Sequence, residues 1–175
     1  MSKKDTFLYF AFGSNLLRER LQLRNPSAVY KYIAKLEKFK LTFWGIRDLT
    51  SARWPGAAAN IEKEENRSVW GTVWELNMLD MASLDLQEKG YAAIEVEVTT
   101  EDGTRLQCRT YQIQTDGIPC KWDTRPCPQY LDVILKGAVR SNLPQYYIEE
   151  LKNIEDNGHQ GNVKIYDDIL KMLEK

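Results

Sequence analysis

Histidine is almost absent from this chain. There is one, His159, in 175 residues, and it sits in the polar stretch "DNGHQGN" that reads as a solvated loop. Cysteine is scarce too, with only Cys108, Cys120 and Cys127. One histidine and three widely spaced thiols form no zinc-type ligand pattern, so no metal and no cofactor is expected. The odd count also argues against a disulfide framework. Free thiols in a reducing compartment are the expectation, with a loop bridge between Cys120 and Cys127 as the alternative.

Long apolar runs are missing as well, and none would span a bilayer. The opening residues, Met1-Ser2-Lys3-Lys4-Asp5, lack the apolar core of a secretion signal, which points to a cytoplasmic protein. Nor is one sign of charge dominant. The 24 Lys and Arg against 25 Asp and Glu leave a net charge of −1. That balance supplies no broad basic field for nucleic acid or an anionic membrane. There is no internal repeat and no low-complexity linker. A chain of this length suits one domain, residues 1–175, with a substantial core.

What is there is most informative near the start. The apolar run Phe7-Leu8-Tyr9-Phe10-Ala11-Phe12 stops abruptly at Gly13-Ser14-Asn15. A helix-like segment, Leu16 to Leu23, follows at once. The order reads as strand, tight turn, helix start. The first N–H groups of a helix have no partners within it, so they can hold a carboxylate or an oxyanion without a cationic side chain. Gly13 allows close approach to the main chain or a conformation closed to other residues. Ser14 and Asn15 are good N-cap types.

Further along, Leu36 to Phe43 alternates apolar and polar residues and predicts a strand. The polar cluster Glu62 to Arg67 predicts a turn before a strand over Val69–Trp74. Asn77 starts a short helix with Leu79, Leu84 and Leu86 among its apolar residues. Ala92–Val98 and Arg105–Ile113 form the clearest hairpin, turned by Asp102-Gly103. Helices are predicted over Gln129–Val139, from Pro144 to Ile154, and over Ile165–Leu173. Periodicity alone yields a mixed α and β chain, and the antiparallel hairpin excludes a doubly wound sheet.

The string "YFAFGSNLL" closely resembles the (F/Y)AYGSNL signature of the γ-glutamylcyclotransferase family. "KLEKFKLTF", "WPGAAANI", "VWGTVWELN", "SLDLQE", "CPQYLDVILKGA" and "NLPQYYIEELKNIE" resemble successive blocks of that family in the same order. The resemblance covers nearly the whole chain. It implies an α+β fold, a small mixed β-barrel or curled sheet surrounded by helices. It also implies an enzyme that turns a γ-glutamyl amino acid into 5-oxoproline and the free amino acid, and a homodimer. Its catalytic acid corresponds to Glu88 in "SLDLQEKGY". Its substrate loop corresponds to Tyr9, Phe10, Ala11, Phe12, Gly13, Ser14 and Asn15, and a second contact to Tyr130.

The residues themselves support Glu88 modestly. It ends a predicted helix just before Gly90, an edge from which a side chain can project into a cleft. Asp85, Glu95 and Glu97 are rivals on the same criterion of charge. Tyr91 is a pocket or core residue. Two departures from the family pattern stand out: Phe12 replaces a tyrosine, and only Lys89 and Gly90 separate Glu88 from Tyr91. Two related specificities, for γ-glutamyl-ε-lysine and for glutathione, are alternatives, as is a non-catalytic module that binds a small carboxylate or a protein on the same fold.

Overall fold

The computed structural model describes residues 5–175. The first apolar run becomes β1 (Thr6–Ala11), whose last three residues are buried. Two long strands follow, β2 (Val29–Trp44) and β3 (Ala58–Asn77), paired antiparallel along their length. The predicted hairpin is β4 (Ala92–Thr100) and β5 (Arg105–Gln112). The strands close into a barrel in the order β1-β3-β2-β4-β5, and β5 returns to β1 as a parallel neighbour. Parallel closure onto an otherwise antiparallel sheet makes the barrel mixed and leaves it no open edge.

Side-chain alternation explains the closure. Val96 and Val98 turn inward while Glu95 and Glu97 face solvent. Phe10, Ile33, Leu36, Ile61, Val69 and Val73 meet them in the same core. Each such side chain contributes about 1.5–3 kcal/mol when fully buried.

Helices α1 (Arg18–Gln22) and α2 (Met81–Gln87) are short. The longer α3 (Pro128–Arg140) buries Tyr130, Val133, Ile134, Gly137 and Ala138, the stripe expected of a helix on a sheet. The helices α4 (Gln145–Lys152) and α5 (Lys164–Leu173) complete the layer. Among the described residues no helix is long and apolar enough to cross a membrane. The three cysteines are free, with Cys108 and Cys127 buried.

Two expectations are corrected. The segment Leu16 to Leu23 is not one helix. A 3-10 turn over Ser14–Leu16 is followed by extended Leu17, with φ −90° and ψ 122°, and then α1. The cause is packing in different directions: Leu16 enters the barrel core, Leu17 packs with Val133 and Ile169, and Leu21 joins Trp74 and Leu84. The polar cluster 62–67 does not separate strands. It lies within β3 at a bulge, where the register jumps from Glu37↔Ser68 to Phe39↔Lys63. Cross-strand pairs Lys38–Glu65 and Lys40–Glu64 suit that solvent-facing stretch. Of the apolar residues after Asn77, Leu79 and Leu86 lie at the surface. They are 88% and 75% exposed, and Leu84 alone anchors α2.

Candidate active site

The turn after β1 and the end of α2 meet at one mouth of the barrel. Ser14–Leu16 forms a single 3-10 turn, with Leu16 N–H donating to Gly13 O at 3.1 Å and Leu17 N–H to Ser14 O at 3.2 Å. Among the described residues the N–H groups of Ser14 and Asn15, at the head of this turn, enter no backbone hydrogen bond of the turn or its caps. They are the unpaired donors that a helical start exposes. Asn15 does not cap the turn. Its side chain is buried and reaches the other way. Nδ2 donates to Tyr9 OH at 3.0 Å and to Glu88 Oε1 at 3.1 Å.

Glu88 follows the last residue of α2, and its N–H still bonds Leu84 O at 3.0 Å. The chain then reverses through Gly90, whose φ of +97° suits glycine. The Glu88 side chain reaches the β1 loop, where its Oε1 accepts from Asn15. Desolvation pushes its carboxyl up from an ordinary 4.5 to about 7, against the opposing pull of the Arg20 and Arg53 guanidiniums. Arg20 is itself buried. With the Gln87 amide oxygen turned toward it, both terminal nitrogens donate at 3.2 and 3.3 Å. The buried cation thereby braces the residue beside Glu88.

Two tyrosines hold the backbone of Ala59. Tyr130 OH accepts from Ala59 N–H at 3.1 Å, and Tyr91 OH donates to Ala59 O at 2.7 Å. Tyr130 is buried, with its ring against Trp54 and Phe43. Because its oxygen accepts, its own proton remains available to a ligand. A Cβ on Gly13 would lie 3.2 Å from Ala59 Cβ and 3.3 Å from Tyr130 OH. Gly13 has φ −114°, so close approach, not a left-handed backbone, is what glycine supplies here.

Tyr9, Phe12, Gly13, Ser14, Asn15, Glu88, Tyr91 and Tyr130 all line one narrow cavity of about 40 Å³, with Ala59 and Tyr111. Two other residues of the expected loop do not. Phe10 is fully buried in the barrel core and Ala11 packs with Tyr9 and Trp74. Neither side chain lines the cavity, and both are taken up by core packing, so they are structural. Tyr111 was missed from the sequence. It lies in the hairpin, and nothing in its local pattern marks it as different from other alternating strand residues.

The rival carboxylates lie elsewhere. Asp85 is held by Arg109 in a two-nitrogen ion pair with distances of 2.9–3.2 Å, and accepts from Tyr111 OH. Glu95 and Glu97 are exposed on β4. Among the described residues no group of three or more His, Cys, Asp or Glu side chains could hold a metal ion.

Over residues 68–151 the chain matches the profile of the AIG2-like family. It is 44% identical to the gamma-glutamylcyclotransferase of Mus musculus, over 98% of this chain and 89% of the mouse protein. Against the gamma-glutamylcyclotransferase of Homo sapiens it is 42% identical, over 98% of this chain and 91% of the human protein. The chain belongs to the γ-glutamylcyclotransferase family. A solved gamma-glutamyl cyclotransferase structure superposes with a TM-score of 0.86 at 42% identity, covering 95% of this chain and 99% of that one. The closed five-stranded mixed barrel with five helices is thus the γ-glutamylcyclotransferase fold.

Proposed function

We propose that this chain converts a γ-glutamyl amino acid to 5-oxoproline and the free amino acid, with Glu88 as base and then acid. The observation that carries the reading is Glu88 itself: desolvated, held by Asn15, and lining one narrow cavity with Ser14 and Asn15, whose N–H groups enter no backbone hydrogen bond of the turn. Its homologues bear the matching name.

The substrate contains both reactants. Its α-amine attacks its own γ-carbonyl carbon, forming the new C–N bond of a five-membered lactam. Collapse of the tetrahedral intermediate breaks the old C–N bond and releases the amino acid. Tethering makes the attack intramolecular, so the protein's task is to select the folded-back conformer. An α-ammonium with a pKa near 8 is mostly protonated at neutral pH and must lose a proton first. Glu88 accepts it. Two protons leave the attacking nitrogen in all and two arrive on the departing one, and Glu88 returns its proton to that leaving nitrogen. A carboxyl titrating at about 7 is suited to both steps. The N–H groups of Ser14 and Asn15 and the hydroxyl of Tyr130 face the substrate's negatively charged oxygen.

Incubating the purified chain with γ-glutamyl-alanine tests this reading. Release of 5-oxoproline and alanine in equal amounts is the expected result. Parallel reactions with γ-glutamyl-ε-lysine and glutathione distinguish the sister specificities, and no release from any of the three would sink the reading. A cytoplasmic location and a homodimer belong to the same proposal. The three free thiols support the first. The exposed Leu79 and Leu86 offer apolar surface for the second, which sedimentation would check.

A further inference from the structure

A second, roomier cavity opens directly from the Glu88 carboxyl. It holds about 450 Å³ and shares Ser14, Glu88, Tyr91 and Tyr130 with the narrow one. The two are therefore consecutive compartments of one cleft, with Glu88 at the junction. The outer compartment has a one-sided charge. Arg20, Arg53 and Lys89 line it, and Glu88 is its sole acid among the described residues.

These cations are not equivalent. Arg20 is buried and its terminal nitrogens are engaged by Gln87. Lys89 is exposed beyond the end of α2. Arg53 is exposed, yet one of its terminal nitrogens donates to Gln87 O at 3.2 Å, on the residue next to Glu88. No ion pair engages Arg53 among the described residues. A guanidinium has five donors in a fixed fork, so this anchor leaves donors for a carboxylate.

Substrate chemistry supplies that carboxylate in the right place. With the γ-carbonyl at Glu88 and the glutamyl half in the narrow compartment, the departing amino acid extends outward. Its carboxylate carbon is two bonds from the nitrogen that leaves. We infer that Arg53 binds the α-carboxylate of the departing amino acid, and so makes a free carboxylate beside the scissile bond a condition of good turnover. The inference rests on the proposed cyclotransferase reading and deepens it.

The test compares γ-glutamyl-alanine with γ-glutamyl-alaninamide, which keeps the scissile bond and lacks the carboxylate. Kinetics are measured on the parent, Arg53→Gln and Arg53→Lys at about pH 8.5, above the value of about 7 to which the Glu88 carboxyl is raised. The parent is expected to favour the acid over the amide in kcat/KM by about 10- to 100-fold, the scale of a charge-assisted hydrogen bond. Arg53→Gln should lose that preference through a raised KM for the acid, with the amide little changed. Arg53→Lys should recover part of it. Equal turnover of acid and amide by the parent would overturn the inference, as would an equal loss on both substrates in Arg53→Gln, or a preference that survives the substitution. If the parent released 5-oxoproline from neither compound, the cyclotransferase reading itself would fail, a result distinct from turnover without discrimination.

Discussion

The side-chain amide of Asn15 donates to Glu88 Oε1 at 3.1 Å across 73 residues of sequence. The same nitrogen donates to Tyr9 OH at 3.0 Å. The pair joins the β1 loop to the end of α2 and fixes one carboxylate oxygen. Hydrogen bonds to charged groups contribute about 1.5–3 kcal/mol. Asn15→Ala should therefore lower kcat about 10- to 100-fold while circular dichroism stays that of the parent. A variant with unchanged kcat would mean that Glu88 needs no such orientation.

Glu88→Gln should keep the fold and lose about 10²-fold or more in 5-oxoproline release, because an amide cannot take the ammonium proton. The parent should show an acid limb in kcat/KM with an apparent pKa near 7, since activity needs the carboxylate and its carboxyl titrates at about 7. The residual activity of Glu88→Gln should lack that limb. The same limb in the variant would place the base elsewhere.

The same substitution should stabilise the protein in a pH-dependent way. A carboxyl raised from 4.5 to about 7 leaves the folded state holding more protons than the unfolded chain between those values. Stability contributed by the protonated form is thus full below about 4.5 and lost as pH rises through about 7. Glu88→Gln mimics the neutral form at every pH. Its melting temperature should match the parent's near pH 4 and exceed it at about pH 8. A melting difference that does not grow over that range would contradict the burial of Glu88.

Gly13→Val should impair binding more than Gly13→Ala. The added Cβ meets Ala59 Cβ at 3.2 Å and Tyr130 OH at 3.3 Å, and branching brings further atoms into the same space. Displacing Tyr130 would loosen its contact with Ala59 N–H as well. KM and titration with 5-oxoproline measure the effect. Parental binding by a folded Gly13→Val protein would remove this loop from the substrate site.

Asp85 should behave as a structural residue. Its bridge to Arg109 ties α2 to β5, but Asp85 is 41% exposed, which limits such pairs to about 0.2–1 kcal/mol. Asp85→Asn should lower the melting temperature slightly and leave 5-oxoproline release within about 10-fold of the parent. A loss as deep as that of Glu88→Gln would make Asp85 the base.

Much of this architecture is legible in local pattern. The strand that becomes β1, the Asp102-Gly103 hairpin and α3 to α5 follow from period, turn residues and proline placement. So does a tight turn after β1, whose first N–H groups have no backbone partner within it. An apolar residue on a short helix is buried only if something covers it, so local pattern does not separate Leu84, which finds a partner, from the exposed Leu79 and Leu86. The cluster 62–67 misleads because a bulged strand in solvent has the composition of a turn.

The sequence by itself determined where the chain extends, coils and reverses, and it placed a glutamate just before a glycine reversal. Those features depend on neighbours a few residues apart, which set backbone conformation directly. The tertiary structure alone decided that the barrel closes through β1 and β5, that Asn15 turns to Glu88 instead of capping its own turn, and that Arg53 stands at the mouth of the cleft. Periodicity states that a face is buried but not against what. Folding pairs Asp85 with Arg109, leaves Glu95 and Glu97 exposed, and of these four carboxylates carries only Glu88 into the cavity, with its carboxyl desolvated.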